Sequence, residues 1–296
     1  MRTNIFKSEV NLVKTALLVT FVFLVQALYA GNDNKGFFTK QQGFDAKAWV
    51  ISKASIIGSY PQFDSPEYNT DKAYYEAGLA MRENKDNNEA YQAIVKQAWD
   101  NDMGCNSENL AKYFSEKANL GAIDNDRKEI LAECLADAYL INEYAKQYFH
   151  RPRPWFTFWG DGYLDDKGNE IYKDMNLWKH IYGEDGNQFR SYPSGHSTTS
   201  YVAALCLCSL YPEKAADILK AANDFTMSRV VLGIHHKSDI DAAYRLACCI
   251  FEDIRNTSGF KAKLSNRVKA HFFMPKTNDT TTCFEGKLQE ASEKVQ

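Results

Sequence analysis

The segment from Asp126 to about Phe149 limits the fold most. Its Ile130, Leu131, Cys134, Leu135, Ala138, Ile141 and Tyr144 recur at intervals of three and four, the spacing that lays one apolar stripe along an α-helix. Such a stripe must be buried against other elements, and the rest of the chain offers helices for that purpose. Shorter helical patterns cover Phe44 to Ile57, Lys72 to Arg82 behind Asp71 as cap, and Glu89 to Trp99 behind Asn87 or Asn88. Ser107 opens another, with Leu110, Tyr113 and Phe114 on one side. Ser59 to Thr70 reads as an extended, proline-containing segment, and Pro152 and Pro154 stop the long helix. Three further helices follow: Gly195 to Leu210 after Pro193-Ser194, Glu213 to about Val231 after Pro212, and Asp239 to Ile254 capped by Ser238. Thr257 to Phe273 adds a last one. No apolar run of useful length alternates with period two, and no Asn-Gly or Asp-Gly hairpin joins strand-like segments. The expected fold is all-α, a single-domain helical bundle.

The 296 residues are 45% hydrophobic and 25% charged, an ordinary balance from which a sizeable core can be built. A formal charge of −3 lacks the basic excess of a nucleic-acid-polymer binder, so any anion must be captured by a local cluster of Arg and Lys. Residues 1–30 read as an export signal: Arg2, Lys7 and Lys14 precede or flank an apolar run, and Ala27 and Ala30 offer cleavage points. Its removal makes the chain two charges more acidic. No later apolar run is long enough to span a membrane, so the expected location is periplasmic or secreted. The helical domain then covers residues 31–273, and 274–296 form a polar tail. Seven cysteines leave at least one unpaired within a monomer. Cys105 and Cys134 are the pair that an oxidising compartment would join.

Between Trp155 and Tyr192 the periodicity breaks down. Glycines, aspartates and aromatic residues fill a long connection, which predicts a segment packed over a pocket.

Three polar clusters carry the chemistry. Lys146, Arg151 and Arg153 stand at the end of the long helix; Pro193-Ser194-Gly195-His196 opens the next; and Ser228 to Asp239, SRVVLGIHHKSD, joins an arginine, two histidines and a carboxylate in one turn. Arg and Lys supply positive charge, and a guanidinium can pair two phosphate oxygens at once. A helix N-terminus with Ser and Gly offers free backbone N–H groups and a favourable dipole for an anion. Asp239, four residues after His235, lies one helical turn away and can fix that imidazole's tautomer. Phosphoryl transfer is mostly positioning plus charge stabilisation, and these are the parts it needs. Arg151, His236, His150, His180 and His271 fall outside the pattern and read as packing or surface residues.

Lys146-x6-Arg153-Pro154, Pro193-Ser194-Gly195-His196 and Ser228-Arg229-x5-His235-x3-Asp239, in that order, resemble the tripartite signature of the type 2 phosphatidic acid phosphatase superfamily. That superfamily also holds the vanadium haloperoxidases. Within it, the segment from Asp71 to Arg82 and the export signal resemble those of the bacterial class A non-specific acid phosphatases. The resemblance covers roughly residues 60–273 and implies the helical bundle of the acid phosphatase and vanadium-dependent haloperoxidase type. It implies hydrolysis of small phosphate monoesters through a phosphohistidine, with no metal cofactor. His235 is then the nucleophile, Asp239 orients it, and His196 is the general acid and base. Lys146, Arg153, Ser194, Gly195 and Arg229 hold the phosphoryl oxygens. Because His235 must be neutral and His196 protonated, an acid working range follows. A vanadium-dependent haloperoxidase and a soluble lipid-phosphate phosphatase are the alternatives on the same site. Assembly into a homo-oligomer stays open.

Overall fold

The computed structural model describes residues 36–84, 86–159 and 190–265. The export signal (1–30), the 274–296 tail, most of the 155–192 connection, His180 and His271 lie outside the described residues. All regular elements among the described residues are helices: α1 (Ala46–Ile57), α2 (Pro66–Glu83), α3 (Glu89–Asp100), α4 (Ser107–Lys117), α5 (Asn125–Phe149), α6 (Pro154–Trp159), α7 (Gly195–Leu210), a 3-10 turn (Pro212–Lys214), α8 (Ala215–Val231), α9 (Lys237–Asn256) and α10 (Ser258–Ser265). None of them is long and apolar enough to cross a membrane.

Helix α7 is the axis of the bundle. Every residue from Ser197 to Leu210 is buried, because small and apolar side chains surround the whole helix instead of forming one stripe. It packs on α5, α8 and α9. Burial of a side chain such as Leu205 contributes roughly 2 kcal/mol. The apolar stripe of α5 lies where its spacing predicts: Ile130, Leu131, Cys134, Leu135, Ala138 and Ile141 are all buried. Tyr144 is the exception and stays exposed.

Side-chain caps set most helix starts. Asp45, Ser65, Asn88, Asn106, Asp124 and Ser194 each accept a backbone N–H from the first turn of the helix they precede. At two starts the capping differs from the sequence reading. Helix α2 begins five residues before Asp71, at Pro66, because Ser65 caps it and proline suits the first helical position. Asp71 is therefore an interior, buried residue of α2. Helix α9 begins at Lys237, and Ser238 is inside it instead of capping it. The Asp239 carboxylate reaches back to the His236 N–H at 2.9 Å, and Asp71 Oδ1 accepts the Ser238 N–H at 2.8 Å. Helix α5 ends at His150 in the left-handed region (φ 48°), ahead of both prolines, and Pro154 opens α6.

Cys105 and Cys134 are not joined. Both are free and buried, Cys105 beside Thr199 and Cys134 beside Cys206 of α7, so each faces the core helix and not the other. Buried thiols act there as small apolar side chains.

Candidate active site

The ends of four helices converge. The last turn of α5 brings Lys146, and the segment after it brings Arg151 and Arg153. The first turn of α7 brings Gly195 and His196, with Ser194 as its cap. Arg229 comes from the last turn of α8, and His235 and Asp239 flank the start of α9. Gly233, at φ +69°, makes the turn between α8 and α9; a Cβ there would lie 2.7 Å from an Arg82 nitrogen. Gly195 lets α7 approach α5, since a Cβ on it would sit 3.2 Å from Asn142 Nδ2 and 3.5 Å from Lys146 Cε. All eight residues singled out in the three clusters meet in this one place. No alignment of spacing alone demanded that the third cluster fold back beside the first.

His235 is held from both sides. Its Nδ1 lies 3.2 Å from Asp239 Oδ2, and its Nε2 lies 2.8 Å from Arg153 Nη1. A guanidinium can only donate, so Nε2 accepts and carries no proton. The ring proton is then on Nδ1, facing the carboxylate. Burial and the nearby Arg153 hold the imidazole well below the usual histidine range, so it is neutral. The lone pair of Nε2 thus faces the cationic side of the site. Arg153 Nη1 also donates to the Ile234 carbonyl at 2.9 Å, which fixes the guanidinium against this turn.

Behind His235 lies a buried ionic network that the sequence reading missed. The spacing reads Arg151 as a packing or surface residue; its side chain is 2% exposed and bridges two carboxylates. Nη1 lies 2.6 Å from Asp239 Oδ1 and Nη2 lies 2.8 Å from Asp71 Oδ2. Asp239 Oδ2 also accepts the Ser191 hydroxyl at 2.5 Å. The Ser238 hydroxyl stands between Arg151 and Asp71, accepting from one and donating to the other. Burial alone would push the Asp239 carboxyl up; Arg151 and the two histidines hold it well below its usual range. Asp239 is therefore held as the carboxylate. The repeated Arg-Pro of Arg151 to Pro154 was the available signal, but only one of the two arginines has the motif spacing.

His236 also sits at Asp239 Oδ2, with Nδ1 at 3.2 Å, yet its far side is different. Its Nε2 is buried with no hydrogen-bond partner among the described residues, and the ring meets Phe158 edge-on at 5.3 Å between centroids. It is a buried packing residue, not a surface one.

The anion-binding parts lie on the other side of His235. Lys146 donates to the Arg190 carbonyl at 2.6 Å and is 6% exposed. Burial and the charge of Arg153 hold its ammonium well below the ordinary lysine range. Arg229 is fully buried; its Nη2 lies 2.7 Å from Asp102 Oδ1, while Nε and Nη1 have no hydrogen-bond partner among the described residues. His196 is depressed by burial first and then by Arg229, Lys146 and Arg153, with a hydrogen bond to the Met103 carbonyl opposing the shift. Unpaired guanidinium N–H groups, an ammonium and a capped helix start are the groups that take up a phosphoryl oxygen set.

Residues 129–252 match the model of the PAP2 superfamily. The matched stretch contains every residue of the three clusters. Over most of its length the chain is similar to the non-specific acid phosphatase of Providencia stuartii, 29% identical over 254 residues that cover 84% of this chain and 91% of that one. It is also similar to the non-specific acid phosphatase of Salmonella typhimurium strain LT2, 26% identical over 256 residues, 85% of this chain and 90% of that one. A shorter stretch of 57 residues is 47% identical to an acid phosphatase of Zymomonas mobilis, covering 19% of this chain and 22% of that one.

Proposed function

We propose that this chain is an exported acid phosphatase that hydrolyses small phosphate monoesters through a phosphohistidine on His235, without a metal cofactor. The observation that carries this reading is the placement of His235, with Nδ1 toward Asp239 Oδ2 at 3.2 Å and Nε2 toward Arg153 at 2.8 Å. Substrate binding draws Arg153 onto a phosphoryl oxygen and frees Nε2. The Nε2 lone pair then forms the N–P bond as the bond from phosphorus to the leaving oxygen breaks. His196 gives its proton to that oxygen, and the alcohol departs. In the second half, His196 takes a proton from water as the water oxygen attacks phosphorus. The N–P bond breaks, its electron pair returns to Nε2, and inorganic phosphate leaves.

The transferring group carries its negative charge against Lys146, Arg153, Arg229 and the Ser194–Gly195 helix start, which do the work that a bound cation does in other phosphoryl-transfer sites. Depressed histidines give an acid working range. His196 is protonated only at low pH in the free site, whereas an arriving phosphate anion offsets the three cations and lets it keep its proton. Export through residues 1–30 places the enzyme in the periplasm or outside the cell.

A panel of phosphate esters that includes nucleotides, sugar phosphates and a lipid phosphate, assayed with and without a chelator, tests this reading. The expected result is phosphate release from several water-soluble monoesters at acid pH, unchanged by chelation. Release that collapses with the chelator, or occurs from the lipid alone, would contradict it.

A further inference from the structure

A third carboxylate lies at the site and, like Asp71, comes from outside the three clusters. Asp102 lies in the loop between α3 and α4, ahead of the PAP2-matched residues. Its backbone N–H donates to the Trp99 carbonyl at 2.8 Å, and the Asn109 side chain clamps the neighbouring Gly104 carbonyl at 2.8 Å, so the loop is tied down on both sides. Asp102 Oδ1 meets two groups at once: Arg229 Nη2 at 2.7 Å and His196 Nε2 at 3.9 Å. The next residue, Met103, supplies the carbonyl that bonds the His196 ring.

We propose that Asp102 is a positioning residue for the phosphoryl-transfer reaction, holding Arg229 by one edge and favouring the protonated form of His196. The inference rests on the phosphatase reading above. Arg229 is a buried guanidinium with five N–H donors. With Nη2 committed to Asp102, Nε and Nη1, which have no partner among the described residues, are the donors left for a phosphoryl group. The same carboxylate acts on His196 through charge. Lys146 of α5, Arg153 after it and Arg229 of α8 all face His196 and disfavour a second positive charge. Phe225 of α8 stacks beside the ring without charge, and the Cys105 thiol, pushed up to about 11 by burial, stays neutral. Asp102 is the opposing negative group at 3.9 Å. Its charge also faces the incoming anion, so it weakens the grip on product phosphate.

These effects separate on substitution. Asp102→Asn keeps an oxygen for Arg229 and removes only the charge, whereas Asp102→Ala removes both. For Asp102→Asn, the alkaline limb of kcat/KM should move down by about one pH unit. Inorganic phosphate, measured by calorimetry, should bind about three- to tenfold more tightly. Asp102→Ala should show the same pH displacement but bind phosphate more weakly than Asp102→Asn, because Arg229 loses its anchor. The second ionisation of the substrate is common to all three proteins and cancels in the comparison. An unmoved alkaline limb in Asp102→Asn, or phosphate binding weakened equally in both variants, would overturn the proposal. If the unsubstituted protein releases no phosphate from any ester, the phosphatase reading fails instead, and the calorimetry still reports on Arg229.

Discussion

His235→Ala should abolish turnover, lowering kcat by at least about 10⁴-fold, while His236→Ala retains most of it. Both rings touch the same oxygen of Asp239, so proximity to the carboxylate does not distinguish them. Their far nitrogens do. Nε2 of His235 opens toward Arg153 and the cationic side, whereas Nε2 of His236 is enclosed near Phe158. Only the first can reach a phosphorus atom held by Lys146, Arg153 and Arg229. Steady-state kinetics on the two variants makes the check. A His235→Ala protein with near-normal kcat, or loss confined to His236→Ala, would remove the assignment of the nucleophile.

The next largest effect is expected at Arg151. Its loss leaves Asp239 and Asp71 buried without their shared cation, and breaking a buried ion pair from one side costs about 3–5 kcal/mol. For a chain of this size that corresponds to a fall in Tm of roughly 6–15 °C. The pH dependence has a definite sign. In the intact protein the folded Asp239 pKa is depressed, so its contribution is present above the unfolded carboxylate pKa and is lost only as pH falls through the still lower folded value. The network therefore persists across an acid working range. In Arg151→Met the Asp239 carboxyl loses the cation that opposes its burial and titrates upward instead, and stability should fall as pH rises. Asp239 would then be a poorer partner for His235 Nδ1, so kcat should drop about 100-fold or more at neutral pH with partial recovery in Arg151→Lys. Thermal melts and kcat profiles on the two variants test this. An Arg151→Met protein whose Tm and pH profile match the parent's would show that the network has no part in positioning His235.

Much of this architecture was legible in the residues themselves. The three-and-four spacing on α5 identified the buried face correctly, because a stripe repeated over several turns leaves few alternatives. The starts of α3 and α7 were also readable, since Asn88 and Ser194 announce their helices locally. What escaped was long-range partnership. Asp71 looked like a helix cap because caps are local, yet its carboxylate serves Arg151 and Ser238 of α9, 80 and 167 residues away in sequence. Ser238 likewise looked like the cap of its own helix, while the work is shared by Asp239 and Asp71. Asp102 carries no local signal at all: a single aspartate after a helix end is ordinary until α8 and α7 bring Arg229 and His196 against it. The three clusters were visible because each is contiguous; the carboxylates that tune them are not.

The central claim is that phosphorus becomes bonded to Nε2 of His235. Rapid acid-free denaturation of the protein during turnover of a radiolabelled phosphate monoester, followed by proteolysis and peptide mass analysis, tests it most directly. The account predicts label that survives alkali, is released by mild acid, and maps to the peptide containing His235, with none in His235→Ala. Label on another residue, or full turnover with no trapped phosphoprotein under conditions where breakdown of the intermediate limits the rate, would contradict it.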